Sequence, residues 1–221
     1  LHAAYHHANI AGLILFAPAI KSIRKFANYA VLINWLGRFI KPLQWYEKNP
    51  PKSYAKYESF SSNAAAQAML LMKFLKKDLA QALKLPIFMV TSADDETISV
   101  TAAYDFFKAQ PNPHNRFIIY TTQADFKKDA KVSVRTSSYP EEHIIDFSHV
   151  CLLISPKNKH YGRKGDYHDI HSRHANFDEE NNFSLGAATE KNIKKYSLQR
   201  LTYNPDFDWL MRQLDSFIHS L

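Results

Sequence analysis

Two kinds of hydrophobic pattern alternate along this chain. Short runs dominated by apolar residues occur at 10–16, 85–92, 116–121 and 144–155, and the segments between several of them repeat apolar residues at spacings of three and four. A short, nearly continuous apolar run predicts a strand buried on both faces, as parallel strands are. The three-and-four spacing predicts helices with one face on a core. Ala103, Phe106 and Phe107 carry it through 100–109. Phe207, Leu210, Met211, Leu214, Phe217, Ile218 and Leu221 carry it at the end of the chain, where Asn204 and Pro205 fit the N-cap and N1 positions. Strand, loop and helix in succession imply the α/β class with a parallel sheet.

Residues 20–84 read differently, as a helical and unusually aromatic stretch. Phe26, Tyr29, Ala30, Ile33, Leu36, Gly37 and Ile40 form one stripe, with Trp35, Phe39, Leu43, Trp45 and Tyr46 beyond it. Pro50-Pro51 marks a loop, because neither proline fits a helix interior. Ser62 or Asn63 then caps a helix expected from Ala64 through Leu83, with Met69, Met72, Leu75, Leu79 and Leu83 on its apolar side. Val132 and Val134 alternate with polar neighbours, like a short exposed strand.

Candidate chemistry lies where two of the apolar runs end. The run at 85–92 begins after a proline that cannot donate a ladder hydrogen bond and closes into Asp94, Asp95 and Glu96. Carboxylates there sit at the C-terminal end of a parallel strand, the edge where open α/β sheets bind ligands. The plainer alternative is that they solvate a turn and cap the next helix. A second run, starting at Ile144, reaches Ser148-His149 and then continues apolar to a Ser155-Pro156 stop. A histidine taken alone beside an apolar run is an ordinary loop or core residue. An Asp after one strand and a His after a later one is the second half of the order Ser, Asp, His. Ser148 is set aside as the nucleophile, since neighbouring side chains on an extended segment point to opposite faces.

Taken together, Gly12-Leu13-Ile14-Leu15-Phe16-Ala17-Pro18-Ala19, Ser92-Ala93-Asp94-Asp95-Glu96-Thr97-Ile98 and Phe147-Ser148-His149-Val150 resemble the C-terminal part of an α/β-hydrolase. The type is that of the monoacylglycerol lipases, lysophospholipases and serine aminopeptidases, and the resemblance covers most of the chain. It implies an α/β-hydrolase core at 1–19 and 85–221 and a helical cap at 20–84, with the family's N-terminal strands absent from this chain. It implies that Asp95 and His149 are catalytic, His149 as general base and Asp95 as the residue that orients it, with Asp94 as runner-up. Ser92-x-x-Asp95-x-x-Ile98 stands where the family has Gly-x-x-Asp-x-x-Val, so Ser92 is a departure. A larger one is that no Gly-x-Ser-x-Gly occurs in the sequence. By resemblance that serine belongs about 8 residues upstream of Leu1. Its source is then the N-terminal half of the same protein or a second chain, and residues 1–221 alone are expected to be inactive.

Bulk properties narrow this further. The 221 residues carry a formal charge of +7 and are 46% hydrophobic, which suits one sizeable domain. Lysines and arginines are scattered apart from Lys21, Arg24 and Lys25 and later Lys191, Lys194 and Lys195, so a nucleic-acid partner is not expected. The single cysteine, Cys151, excludes an internal disulfide and reads as a small hydrophobe within a strand. No apolar run reaches the ~18–20 residues of a membrane span. His2 and His6 stand at i and i+4 beside His7, but no acidic or thiol partner lies at ligand spacing, so they read as a surface cluster at a helix end. His168, Asp169, His171 and His174 match no metal motif and read as a solvated loop. No cofactor and no metal ligand are assigned.

The function expected is a serine hydrolase of carboxylic esters, acting on a small acyl ester that includes lipids, with peripheral membrane contact through the apolar cap. The alternatives are a non-catalytic hydrolase-like binding protein, or an aminopeptidase or acyltransferase on the same scaffold.

Overall fold

The computed structural model describes residues 1–7, 9–24, 29–48, 59–123, 126, 129–142, 144–165, 198–200 and 203–221. Its centre is a four-stranded parallel sheet in the order β1 (Leu13–Phe16), β4 (Ile87–Ser92), β5 (Arg116–Thr121), β6 (Val132–Thr136). The register pairs Leu13 with Ile87, Phe88 with Arg116 and Phe117 with Val132. The chain is therefore of the α/β class, a mostly parallel sheet flanked by helices.

β4 is buried throughout, because both of its faces are covered. Ile87 and Met89 face one way, with Phe117 and Ile119 of β5, onto Ala103, Phe106 and Phe107 of α4 (Val100–Lys108). Phe88 and Val90 face the other way, with Ile118 and Tyr120, onto Leu210 and Phe217 of α5 (Phe207–Ile218). Each large apolar side chain buried this way contributes about 1.5–3 kcal/mol. Buried amide side chains pin the start of β4: Asn115 Oδ1 accepts from the Ile87 amide at 2.9 Å, and Gln110 Oε1 accepts from the Leu83 amide at 2.7 Å. β7 (Ile144–Phe147) and β8 (Leu198–Arg200) form a separate parallel pair.

The chain enters through α1 (His2–His6), and further elements intervene in sequence between β1 and β4. There α2 (Ala30–Leu36) packs on α3 (Ser62–Leu79), and β2 (Trp45–Glu47) pairs antiparallel with β3 (Phe60–Ser61). Ala30, Ala66 and Asp78 are buried, while Trp35, Phe39, Leu71 and Phe74 are 52–75% exposed. Among the described residues no helix is long and apolar enough to cross a membrane.

Several expectations shift. The cap of α3 is Ser61, whose extended backbone lets Oγ accept from the Ala64 amide at 3.1 Å; Ser62 turns inward and is buried. α3 stops at Leu79 instead of Leu83: the Gln81 amide closes a tight turn on the Asp78 carbonyl, and the Leu83 amide donates to Gln110. Cys151 lies in a turn after β7, fully buried, with Sγ donating to the Ser148 carbonyl at 3.2 Å. Val132 and Val134 belong to β6, and Val132 is buried in the core. The N-cap of α5 is Asp206, and Asn204 stands before it, its Oδ1 accepting from the Asp206 amide at 2.8 Å. Phe26 and the Pro50-Pro51 loop lie outside the described residues.

Candidate active site

The acidic loop begins as the sheet ends. The Ala93 amide still donates to the Tyr120 carbonyl at 2.8 Å, after which the chain turns away. Asp94 and Asp95 then do different things. Asp94 accepts from the Thr122 amide and hydroxyl, both at 2.9 Å, and from Ser137 Oγ at 2.6 Å. It ties together the C-terminal ends of β4, β5 and β6. The helix that follows is capped by Ser99, whose Oγ accepts from the Ala102 amide, so none of the three acids serves as its cap.

Asp95 points the other way and is nearly closed off, with its side chain 3% exposed. Oδ1 accepts from the Thr97 and Ile98 amides, each at 2.7 Å. Oδ2 faces both the amide and the ring Nδ1 of His149, each at 2.5 Å. Burial works to raise the Asp95 carboxyl, but the His149 hydrogen bond and charge, with the Ile98 and Thr97 amides, hold it below the usual carboxylate range. The imidazole remains 37% exposed, so this pair has a dry carboxylate and an accessible ring.

His149 gets its place from β7. Phe147 is fully buried, its ring stacked on Tyr139, and its carbonyl accepts from Ser92 Oγ at 2.7 Å. Ser148 is buried, and its Oγ accepts from the Val150 amide. Beyond the site, 156–165 folds tightly on itself. A Cβ at Gly162 would collide with the Asn158 carbonyl oxygen, and one at Gly165 with that of His160, so close backbone approach requires both glycines. Arg163 makes a two-pronged ion pair with Glu142, which also accepts from Tyr203 Oη at 2.6 Å. The Glu142 hydrogen bonds raise the Arg163 guanidinium above its ordinary value.

The structure thus brings Asp95 and His149 together and separates Asp94 from both. It also forms two groups that the sequence reading missed. Asp206 accepts from Arg135 Nε and Nη2 at 2.9 and 2.8 Å and from Tyr120 Oη at 3.0 Å, which fastens the start of α5 to β5 and β6. His2 and His6 do meet an acidic partner, Asp78 on α3, far away in sequence. His168, Asp169, His171 and His174 lie outside the described residues.

No protein-family model matches this sequence, and no curated protein matches it. Solved structures similar in part include two lipases. A soluble variant of the monoglyceride lipase of Saccharomyces cerevisiae, in complex with a substrate analog, matches over 55% of this chain and 50% of that one, at 15% identity and a TM-score of 0.39. The monoacylglycerol lipase of Paleococcus ferrophilus matches over 55% and 52%, at 15% identity and a TM-score of 0.41. The chain spans about half the length of these structures.

Proposed function

We propose that this chain carries the acid and base of a serine hydrolase that cleaves carboxylic esters. The observation that supports the reading best is the Asp95–His149 pair, beyond the C-terminal end of a buried parallel strand, with one carboxylate oxygen on both the ring Nδ1 and the amide of His149. With Nδ1 engaged, Nε2 is the nitrogen left to exchange a proton. In the proposed reaction a serine oxygen attacks the acyl carbon while Nε2 takes its proton. The ester bond then breaks, and the same proton goes to the departing alcohol. Water repeats the sequence on the acyl-enzyme. Asp95 fixes the tautomer and stabilises the imidazolium without itself being protonated.

The nucleophile is assigned outside these 221 residues, since no Gly-x-Ser-x-Gly occurs among them. An open edge of the sheet agrees with that assignment: among the described residues β1 pairs only with β4, and Ile14 is 44% exposed. Residues 20–84 are assigned as a cap. Their exposed Trp35, Phe39 and Leu71, near the basic Arg38 and Lys41, suit an acyl chain delivered from a lipid surface, with monoacylglycerols or lysophospholipids as substrates.

The test is labelling of the native protein with a fluorophosphonate, followed by peptide sequencing. The expected result is one labelled serine outside residues 1–221, with labelling lost in His149→Ala. No label on an intact, folded protein would transfer the assignment to a non-catalytic binding protein. Ester turnover by residues 1–221 alone, dependent on His149, would refute the external nucleophile.

A further inference from the structure

We infer that His2, His6 and Asp78 form a binding site for a divalent transition-metal ion such as Zn2+. The inference stands apart from the hydrolase reading and does not depend on it. A spacing of four on one helical turn puts both imidazoles of α1 on the same face, and their ring centroids are 4.3 Å apart. Asp78, in the last turn of α3, meets them from the other helix. Its Oδ2 lies 2.7 Å from His2 Nδ1 and its Oδ1 lies 3.4 Å from His6 Nε2. One ligand atom from each residue falls within 4.8 Å of the others.

The geometry and chemistry fit such an ion. Ligands held at ~2.0–2.1 Å in a tetrahedron stand about 3.3 Å apart. The two rings meet different oxygens of the carboxylate, His2 Nδ1 at Oδ2 and His6 Nε2 at Oδ1, and ligand atoms now within 4.8 Å of one another would close to that spacing by side-chain rotation. Two imidazoles and one carboxylate suit Zn2+, Co2+ or Ni2+, whereas Mg2+ and Ca2+ take oxygen ligands. The Asp78 side chain is only 11% exposed, while the imidazoles, 48% and 50% exposed, leave an entry path. Phe74 backs the His2 ring at 4.9 Å. In the absence of metal the carboxylate is served by hydrogen bonds from the two rings, which hold it below its usual range.

Connectivity says what the ion would do. α1 leads into β1 and α3 leads into β4, and these strands run parallel. The cluster therefore lies where the strands begin, while Asp95 lies beyond the end of β4. Three protein ligands at the opposite ends of the strands from Asp95 would make a staple between α1 and α3, with water in the remaining position.

The experiment is calorimetric titration of the metal-free full chain with Zn2+, alongside its visible spectrum with Co2+ and its Tm with and without metal. The expected result is one ion per chain, a Co2+ absorption typical of tetrahedral sites and a raised Tm. His2→Ala and His6→Ala should each weaken binding about tenfold or more. Asp78→Asn should do the same; if it fails to fold, the exposed histidine variants still decide. Lack of stoichiometric binding would reduce the group to a hydrogen-bonded cluster. Stoichiometric binding that survives both histidine variants would put the ion elsewhere, with the histidines after residue 159 the first place to look. Either result overturns the inference.

Discussion

Ser92 donates from Oγ to the carbonyl of Phe147 at 2.7 Å, joining the last residue of β4 to the last residue of β7. Asp95 follows the first of these by three positions and His149 follows the second by two, so one buried hydrogen bond braces the two backbones that carry the pair. Ser92→Ala removes the donor and leaves a buried carbonyl unserved. The expected cost is about 1–2 kcal/mol, read as a lower urea midpoint with an unchanged m-value.

Asp94 and Asp95 are adjacent but separable. Asp95→Asn should cut fluorophosphonate labelling of the native protein on the order of 10³- to 10⁴-fold, because an amide no longer fixes the imidazole tautomer. Asp94→Asn should act on stability instead, by about 1–3 kcal/mol, through its partners Thr122 and Ser137, while labelling of the folded protein persists. Equal loss of labelling in the two variants would contradict this division.

Acid should weaken the fold partly through Asp95. Its folded value lies below the unfolded one, so its contribution is present above about pH 3.9 and is lost as pH falls through the folded value. Urea midpoints taken from pH 6 to pH 2 should fall more steeply for the parent protein than for Asp95→Asn. Parallel curves would show that Asp95 titrates alike in both states.

Asp206 offers a test away from the site. Asp206→Ala strands Arg135, which lies over Trp209 at 4.3 Å, and leaves the Tyr120 hydroxyl without this partner. Because Arg135 is 37% exposed, water takes back part of the loss. The expected cost is about 2 kcal/mol, or a fall in Tm of about 4–8 °C.

What was legible in the sequence was whatever depends on local pattern. β4 and β5 read as buried strands because both of their faces are covered, and α4 and α5 read as helices because each presents one stripe to the sheet. The meeting of Asp95 and His149 was legible because each follows an apolar run that becomes a strand. Features decided by distant contacts were not. α3 ends at Leu79 and the Leu83 amide goes to Gln110, a partner distant in sequence that nothing near residue 83 encodes. Asn204 accepts from the Asp206 amide just before α5, and the Asp206 carboxylate goes to Tyr120 and Arg135 of β5 and β6, partners that no local pattern shows. Asp78 was missed because local ligand spacing cannot register a partner on another helix.

The sheet's register also carries a temporal order. β4 reaches β5 through one short helix, whereas β1 meets β4 only after the whole segment containing α2 and α3 has been gathered, Leu13 lying opposite Ile87. Closing the longer loop costs more entropy before any contact repays it. The β4–α4–β5 unit should therefore be the nucleus, with β1 docking late. Substitutions at Met89 or Ile119 would then slow refolding, while substitutions at Leu15 would mainly hasten unfolding.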